Sequence, residues 1–230
     1  MEGTIDETAE AVDRAGGRGI AVECDQTRPE DVDHLVSRVK AAGVPLDLLV
    51  NNAWGGYERH NPATFADPFW RQPIRHWEGM FIAGVWSTLL TTARVTPLLI
   101  DRGKGVILTT VAWLEGAYLG NLYYDVAKSS LIRMAEGIGQ ELAPYGVGAA
   151  VLVPGFMRTE RVMAAHRAQP FDLSLTESPD YLARAVACLA QDPAPGKLTG
   201  QILYVADLAR KYGFTDVDGK QPARFRVSDT

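Results

Sequence analysis

Leu46-Asp47-Leu48-Leu49-Val50-Asn51-Asn52-Ala53-Trp54-Gly55-Gly56 is the stretch that decides the fold. Leu46 to Val50 is a nearly continuous apolar run, the pattern of a strand covered on both faces, and such strands belong to parallel sheets. The run empties into two asparagines and small residues, a strand end followed by a turn. The same grammar repeats on either side of it. Upstream, Thr4 to Val12 has helical composition and stops at Gly16-Gly17, and Gly19 to Asp25 reads as a short strand. Thr27-Arg28-Pro29 then opens a helix with Val32, Leu35, Val36 and Val39 at helical spacing, ending at Gly43. Downstream, residues 57–72 form a polar and aromatic loop, a helix runs from about Ile74 to Ile100, and Gly105 to Thr110 is a strand. The helix holding Tyr124 runs to about Ala143, and Val147 to Val153 is a buried strand cut off by Pro154-Gly155. A mobile segment is expected over Phe156 to Ser178, a helix over Pro179 to Gln191 and a last strand over Gln201 to Val205. Strands alternating with helices of this length predict a single α/β domain on a Rossmann-like parallel sheet.

Composition narrows the function classes. A chain of 230 residues, 47% hydrophobic, can bury a sizeable core. A net charge of −5 with no run of Lys or Arg argues against a nucleic-acid partner. Cys24 and Cys188 lie far apart, and His34, His60, His76 and His166 show no ligand spacing, so no metal site is expected. Phe81 to Ile100 is the most apolar region, but Arg94 and Pro97 interrupt it, which argues against a membrane span. The first residues are acidic and lack the apolar core of a signal peptide. These readings predict a cytoplasmic protein with reduced thiols.

In an open parallel sheet, ligands bind beyond the carboxyl ends of the strands. Asp25, Asn51-Asn52, Thr109-Thr110 and Pro154-Gly155 all fall at such ends. Tyr124 and Lys128 stand four apart on a helix, which places a phenol and an ammonium on one face. A nearby cation lowers a phenol's pKa, and a tyrosine tuned in this way can exchange a proton with an alkoxide. Taken singly, each feature has an ordinary alternative: Asp25 a helix-capping acid, Asn51-Asn52 a turn, Pro154-Gly155 a strand stop, Thr159 a surface hydroxyl, Tyr124–Lys128 a solvated pair.

Asn51-Asn52-Ala53, Tyr124-x-x-x-Lys128 and Pro154-Gly155-x-x-x-Thr159, in that order, resemble the short-chain dehydrogenase/reductase family over nearly the whole chain. The resemblance implies hydride transfer between NAD or NADP and a small alcohol or carbonyl compound. It makes Tyr124 the proton donor or acceptor, and gives Lys128 the tasks of tuning Tyr124 and holding the nicotinamide ribose. It also brings Asp25 to the adenine amino group, Asn52 to the adenosine ribose, and Gly155 with Thr159 to the nicotinamide end. A homo-oligomer through the two long helices is implied as well. Trp54 replaces the family's usual glycine, which points to a divergent subgroup; Trp54, Trp113 and Phe156 are candidate pocket walls.

Three departures from the family pattern stand out. Val111 and Ala112 occupy the place of the serine that polarises the substrate carbonyl, leaving Thr110 as the candidate hydroxyl. Gly84 stands where an asparagine follows Trp77 by seven residues. No Gly-rich phosphate-binding turn is present; Gly16-Gly17-Arg18-Gly19 follows a helix and reads as a helix stop. Compared with the family, the chain begins just after the second strand, as an N-terminally truncated form. The expectations are then a start upstream of Met1, or a truncated form with impaired cofactor binding. The alternatives are a catalytically silent binding or oligomer partner, or the product of a mis-started reading frame.

Overall fold

The computed structural model describes residues 3–56, 64–113, 115–192 and 194–225. Its strands in chain order are β1 (Leu48–Asn51), β2 (Gly105–Thr110), β3 (Val147–Val153), β4 (Phe156–Met157), β5 (Thr176–Glu177) and β6 (Ile202–Tyr204). Strands β1, β2, β3 and β6 form one parallel sheet in the order β1-β2-β3-β6. The small parallel pair β4–β5 stands apart from it. The helices are α1 (Ile5–Arg14), α2 (Pro29–Ala41), α3 (Ser87–Arg102), α4 (Leu122–Leu142), α5 (Glu160–Ala168), α6 (Pro179–Ala190) and α7 (Val205–Tyr212).

Helices cover both faces of the sheet, and alternate residues of the central strands explain how. Val106, Leu108, Ala150 and Leu152 point into a core with Tyr181, Ala185 and Leu189 of α6 and Leu208 and Ala209 of α7. Ile107 and Ala149 point the other way, among Val95 and Leu99 of α3 and Leu142 of α4. Every residue of β3 is buried, as its unbroken apolar run required. Among the described residues no helix is long and apolar enough to cross a membrane, and no cluster of His, Cys, Asp or Glu could hold a metal ion.

Four sequence expectations need correction. Gly19 to Asp25 forms no strand. A strand exists only where a neighbour completes its hydrogen-bond ladder. Here the segment is pinned at its ends by side chains instead, Gly19 N donating to Asp13 Oδ1 at 2.8 Å and Asp25 N to Asp31 Oδ2 at 3.0 Å. The helix expected over Ile74 to Ile100 starts as a wide π-helical segment, Glu78–Trp86, before continuing as α3 to Arg102. The loop after β1 explains the wide winding: Gly55 N donates to Ala83 O at 3.3 Å, taking a carbonyl from the helix. The segment Phe156 to Ser178 is ordered into β4, α5 and β5. Val205 opens α7 rather than closing β6. Residues 57–63 of the expected 57–72 loop lie outside the described residues, and so does His60.

Candidate active site

The site is built from the first turns of α4. Asn121 caps that helix, its side-chain oxygen accepting from Tyr124 N at 3.0 Å. Its amide group is spent on Phe65 O and Gln72 Oε1, both at 2.8 Å, so the cap is locked to the segment before the π-helix. Asn121 is buried, and the sequence reading missed it although an Asn just before a helix is an ordinary cap signal. Asp125 adds a second clamp, accepting from Leu119 N at 3.1 Å.

Tyr124 and Lys128 then project from the same face, with Lys128 Nζ 5.4 Å from the Tyr124 ring centroid. Lys128 is only 6% exposed, and burial pushes its ammonium down to about 7. Its closest ring is Trp54, whose centroid lies 3.5 Å from Nζ. Tyr124 stands between the rings of Trp54 and Phe65, edge to face, at 5.6 and 5.7 Å.

The other sequence candidates divide into three places. Thr110, at the end of β2, donates its hydroxyl to Asn52 Oδ1 at 2.7 Å, so these two candidates satisfy one another. Asp25 lies at the turn before α2, where Oδ1 accepts from Thr27 N at 2.9 Å and Thr27 Oγ1 at 2.7 Å. These bonds hold its carboxyl below the usual range. Thr159 caps α5 through a bond from Val162 N at 3.3 Å, which leaves its hydroxyl proton to donate.

Gly155 lies beneath a buried carboxyl that no local motif announces. A Cβ there would sit 2.7 Å from Glu177 Oε2, and Gly155 N donates to that carboxyl. Glu177 is 1% exposed, and its Oε1 has no hydrogen-bond partner among the described residues. Burial is the main reason its pKa is raised to about 7. Asp216 raises it further, while the Gly155 bond and Arg158 oppose the shift. Arg158 in turn meets Asp216 at 3.1 Å, and Asp216 also takes the Ser178 hydroxyl.

Beyond the ends of β2, β3 and β6 lies a cleft of about 170 Å³ walled by Ala112, Trp113, Leu119, Gly155, Phe156 and Tyr204, among others. Arg224 closes one side, stacked 3.9 Å over the Tyr204 ring and paired with Glu115 and Asp207. Trp113 and Phe156 therefore line a cavity as expected, whereas Trp54 lies against Lys128. Tyr124 and Lys128 are not among the walls of this cleft.

The chain was compared with known proteins. The family model for short chain dehydrogenase matches residues 1–170. "Dehydrogenase/reductase SDR family member 1" of Mus musculus is 32% identical over 230 residues, covering 94% of this chain and 73% of the relative. A short chain dehydrogenase from Mycobacterium thermoresistibile has a similar structure, with a TM-score of 0.81 at 23% identity over 99% of this chain and 79% of its own. A 3-oxoacyl-[acyl-carrier protein] reductase with bound NAD from Brucella melitensis gives a TM-score of 0.70 at 24% identity, over 87% and 75%. At these identities the two structures show the shared fold alone.

Proposed function

The chain belongs to the short-chain dehydrogenase family, and on that premise we propose how its own residues serve an oxidoreductase that moves hydride between a nicotinamide cofactor and an alcohol/carbonyl pair. The observation that carries the proposal is the Tyr124–Lys128 pair, held on one face of α4 by the Asn121 cap. The nicotinamide supplies or accepts the hydride. Tyr124 exchanges the proton with the substrate oxygen, and Lys128 sets its readiness to do so. Burial brings the Lys128 ammonium down to about 7, so the positive charge that favours a phenolate beside it is fullest below neutrality.

The residues present suit the nicotinamide end of the cofactor better than its middle. Gly155 lines an aromatic cleft at the carboxyl ends of the strands, and Thr159, four residues on, keeps a hydroxyl proton to donate. Lys128 would hold the nicotinamide ribose, Asp25 the adenine amino group and Asn52 the adenosine ribose, the last two after giving up bonds to Thr27 and Thr110. No Gly-rich turn for the pyrophosphate stands in this sequence. Thr110 polarises the substrate carbonyl once its proton leaves Asn52. The Trp54 and Phe65 rings that flank Tyr124 suit a carbonyl compound with an apolar or aromatic body.

The test is turnover at 340 nm over a panel of apolar ketones, with NADH and NADPH each at saturation. Tyr124→Phe should lower the rate by about 10²–10⁴-fold, the usual share of a positioned acid. Undiminished turnover in Tyr124→Phe would remove the phenol from the mechanism. A catalytically silent chain would instead bind neither cofactor in calorimetry.

A further inference from the structure

Two positions beside the Tyr124–Lys128 pair are complementary in bulk. Position 54 carries an indole, and position 84, on the π-helical segment, carries no side chain. A Cβ on Gly84 would lie 2.4 Å from Trp54 Cζ3 and 2.8 Å from Cε3, far inside contact distance for rigid ring atoms. Gly56 seats the same ring, since a Cβ there would lie 2.6 Å from Trp54 Nε1. The ring so seated presents its face to Lys128, with Nζ 3.5 Å from the centroid, and stands perpendicular to Tyr124 at 5.6 Å.

Lys128 gives this packing a chemical consequence. A buried ammonium must find compensation or lose its proton. Among the described residues Nζ forms no hydrogen bond or ion pair; its contacts are the Trp54 face and the more distant Tyr124 ring. Indole is the best aromatic partner for a cation, and such contacts strengthen where water is excluded. Phe and Leu are both smaller than an indole, but Phe keeps an aromatic face to attract the charge and Leu keeps only apolar bulk.

We propose that Trp54 is a positioning residue that holds the Lys128 ammonium beside Tyr124 through its ring face, and that Gly84 exists to seat it. Positions 54, 84 and 128 then act as one unit. The inference rests on the assignment of Tyr124 and Lys128 to the reaction, and concerns what keeps that pair in register.

The test reads Lys128 directly, in the ligand-free full-length chain, by NMR titration of isotope-labelled lysine side chains. The Tyr124 ring lies 5.4 Å from Lys128 Nζ, and burial is the cause of the ammonium's depressed proton affinity. Trp54→Phe should leave the midpoint within about threefold in proton affinity, because the ring face is kept. Trp54→Leu keeps the seat dry but loses the attraction, so Lys128 should release its proton at least about tenfold more readily, as expected for a lost buried cation–π contact. Gly84→Ala should displace the indole and move the midpoint in the wild-type background, yet leave it unmoved in the Trp54→Leu background. Coincident titrations of wild type, Trp54→Phe and Trp54→Leu would overturn the proposal, as would additive effects at 54 and 84. Far-UV circular dichroism on each variant confirms that the titrations come from folded chains. Because no cofactor or substrate is present, a chain that titrates as expected but never turns over would refute the reaction and leave this inference standing.

Discussion

Lys128 and Glu177 are buried ionisable groups with opposite consequences for stability. The folded state holds Lys128 near 7, below its ordinary 10.5, so between these values the unfolded chain binds more protons and stability rises with pH. At about 1.4 kcal/mol per tenfold change in proton affinity, the full span is on the order of 5 kcal/mol. Lys128→Met should abolish that rise while removing activity; an unchanged slope between pH 7 and 10 in urea unfolding would contradict the assignment. Glu177 is held near 7, above its ordinary 4.5, so its contribution is present in full below pH 4.5 and lost as pH rises to 7. Glu177→Gln keeps an acceptor for Gly155 N and should stabilise the chain by about 2–3 kcal/mol at pH 8 and hardly at all at pH 4. Equal gains at both values would contradict it. Tyr124 and Lys128 were legible because one helical turn fixes their relation. Glu177 was not, because it falls in the Phe156 to Ser178 segment that reads as mobile, and the carboxyl is buried only once β4 and β5 pair.

At the scale of elements, the loop after β1 and the π-helical segment are one structure. Gly55 approaches so closely that a Cβ there would lie 2.4 Å from Ala83 Cβ. Gly55→Ala should therefore lower stability by about 1–3 kcal/mol, the range for overpacking, and shift the Trp54 ring with it. A neutral effect in thermal unfolding would mean that the loop yields. The sequence showed a helix here, since the apolar spacing of residues 78–100 fits one, but the wider winding depends on a bond from Gly55 that no local pattern announces. The strand expected over Gly19–Asp25 failed for the converse reason. Its residues favour extension, but pairing is a property of the neighbour, and among the described residues none stands beside it. Strands β2 and β3 were legible because each is an apolar run covered on both faces, whereas β1, the outer strand of the four, has its expected position but leaves Val50 exposed.

For the whole molecule, the parallel sheet gathers the end of β1, the end of β2 and Pro154-Gly155 at one edge, where the reading of strand ends put them. The cleft escaped that reading, because Arg224 and Phe225 come to it from the far end of the chain. The central claim is that hydride passes at this edge under control of the Tyr124 phenol. Its most direct test is deuterium transfer from 4-deuterated NADH or NADPH to an apolar ketone, read by mass spectrometry of the alcohol. The account predicts one deuterium on the carbinol carbon with the wild-type chain and little or none with Tyr124→Phe; equal incorporation by both, or none by the wild type with either cofactor, would contradict it.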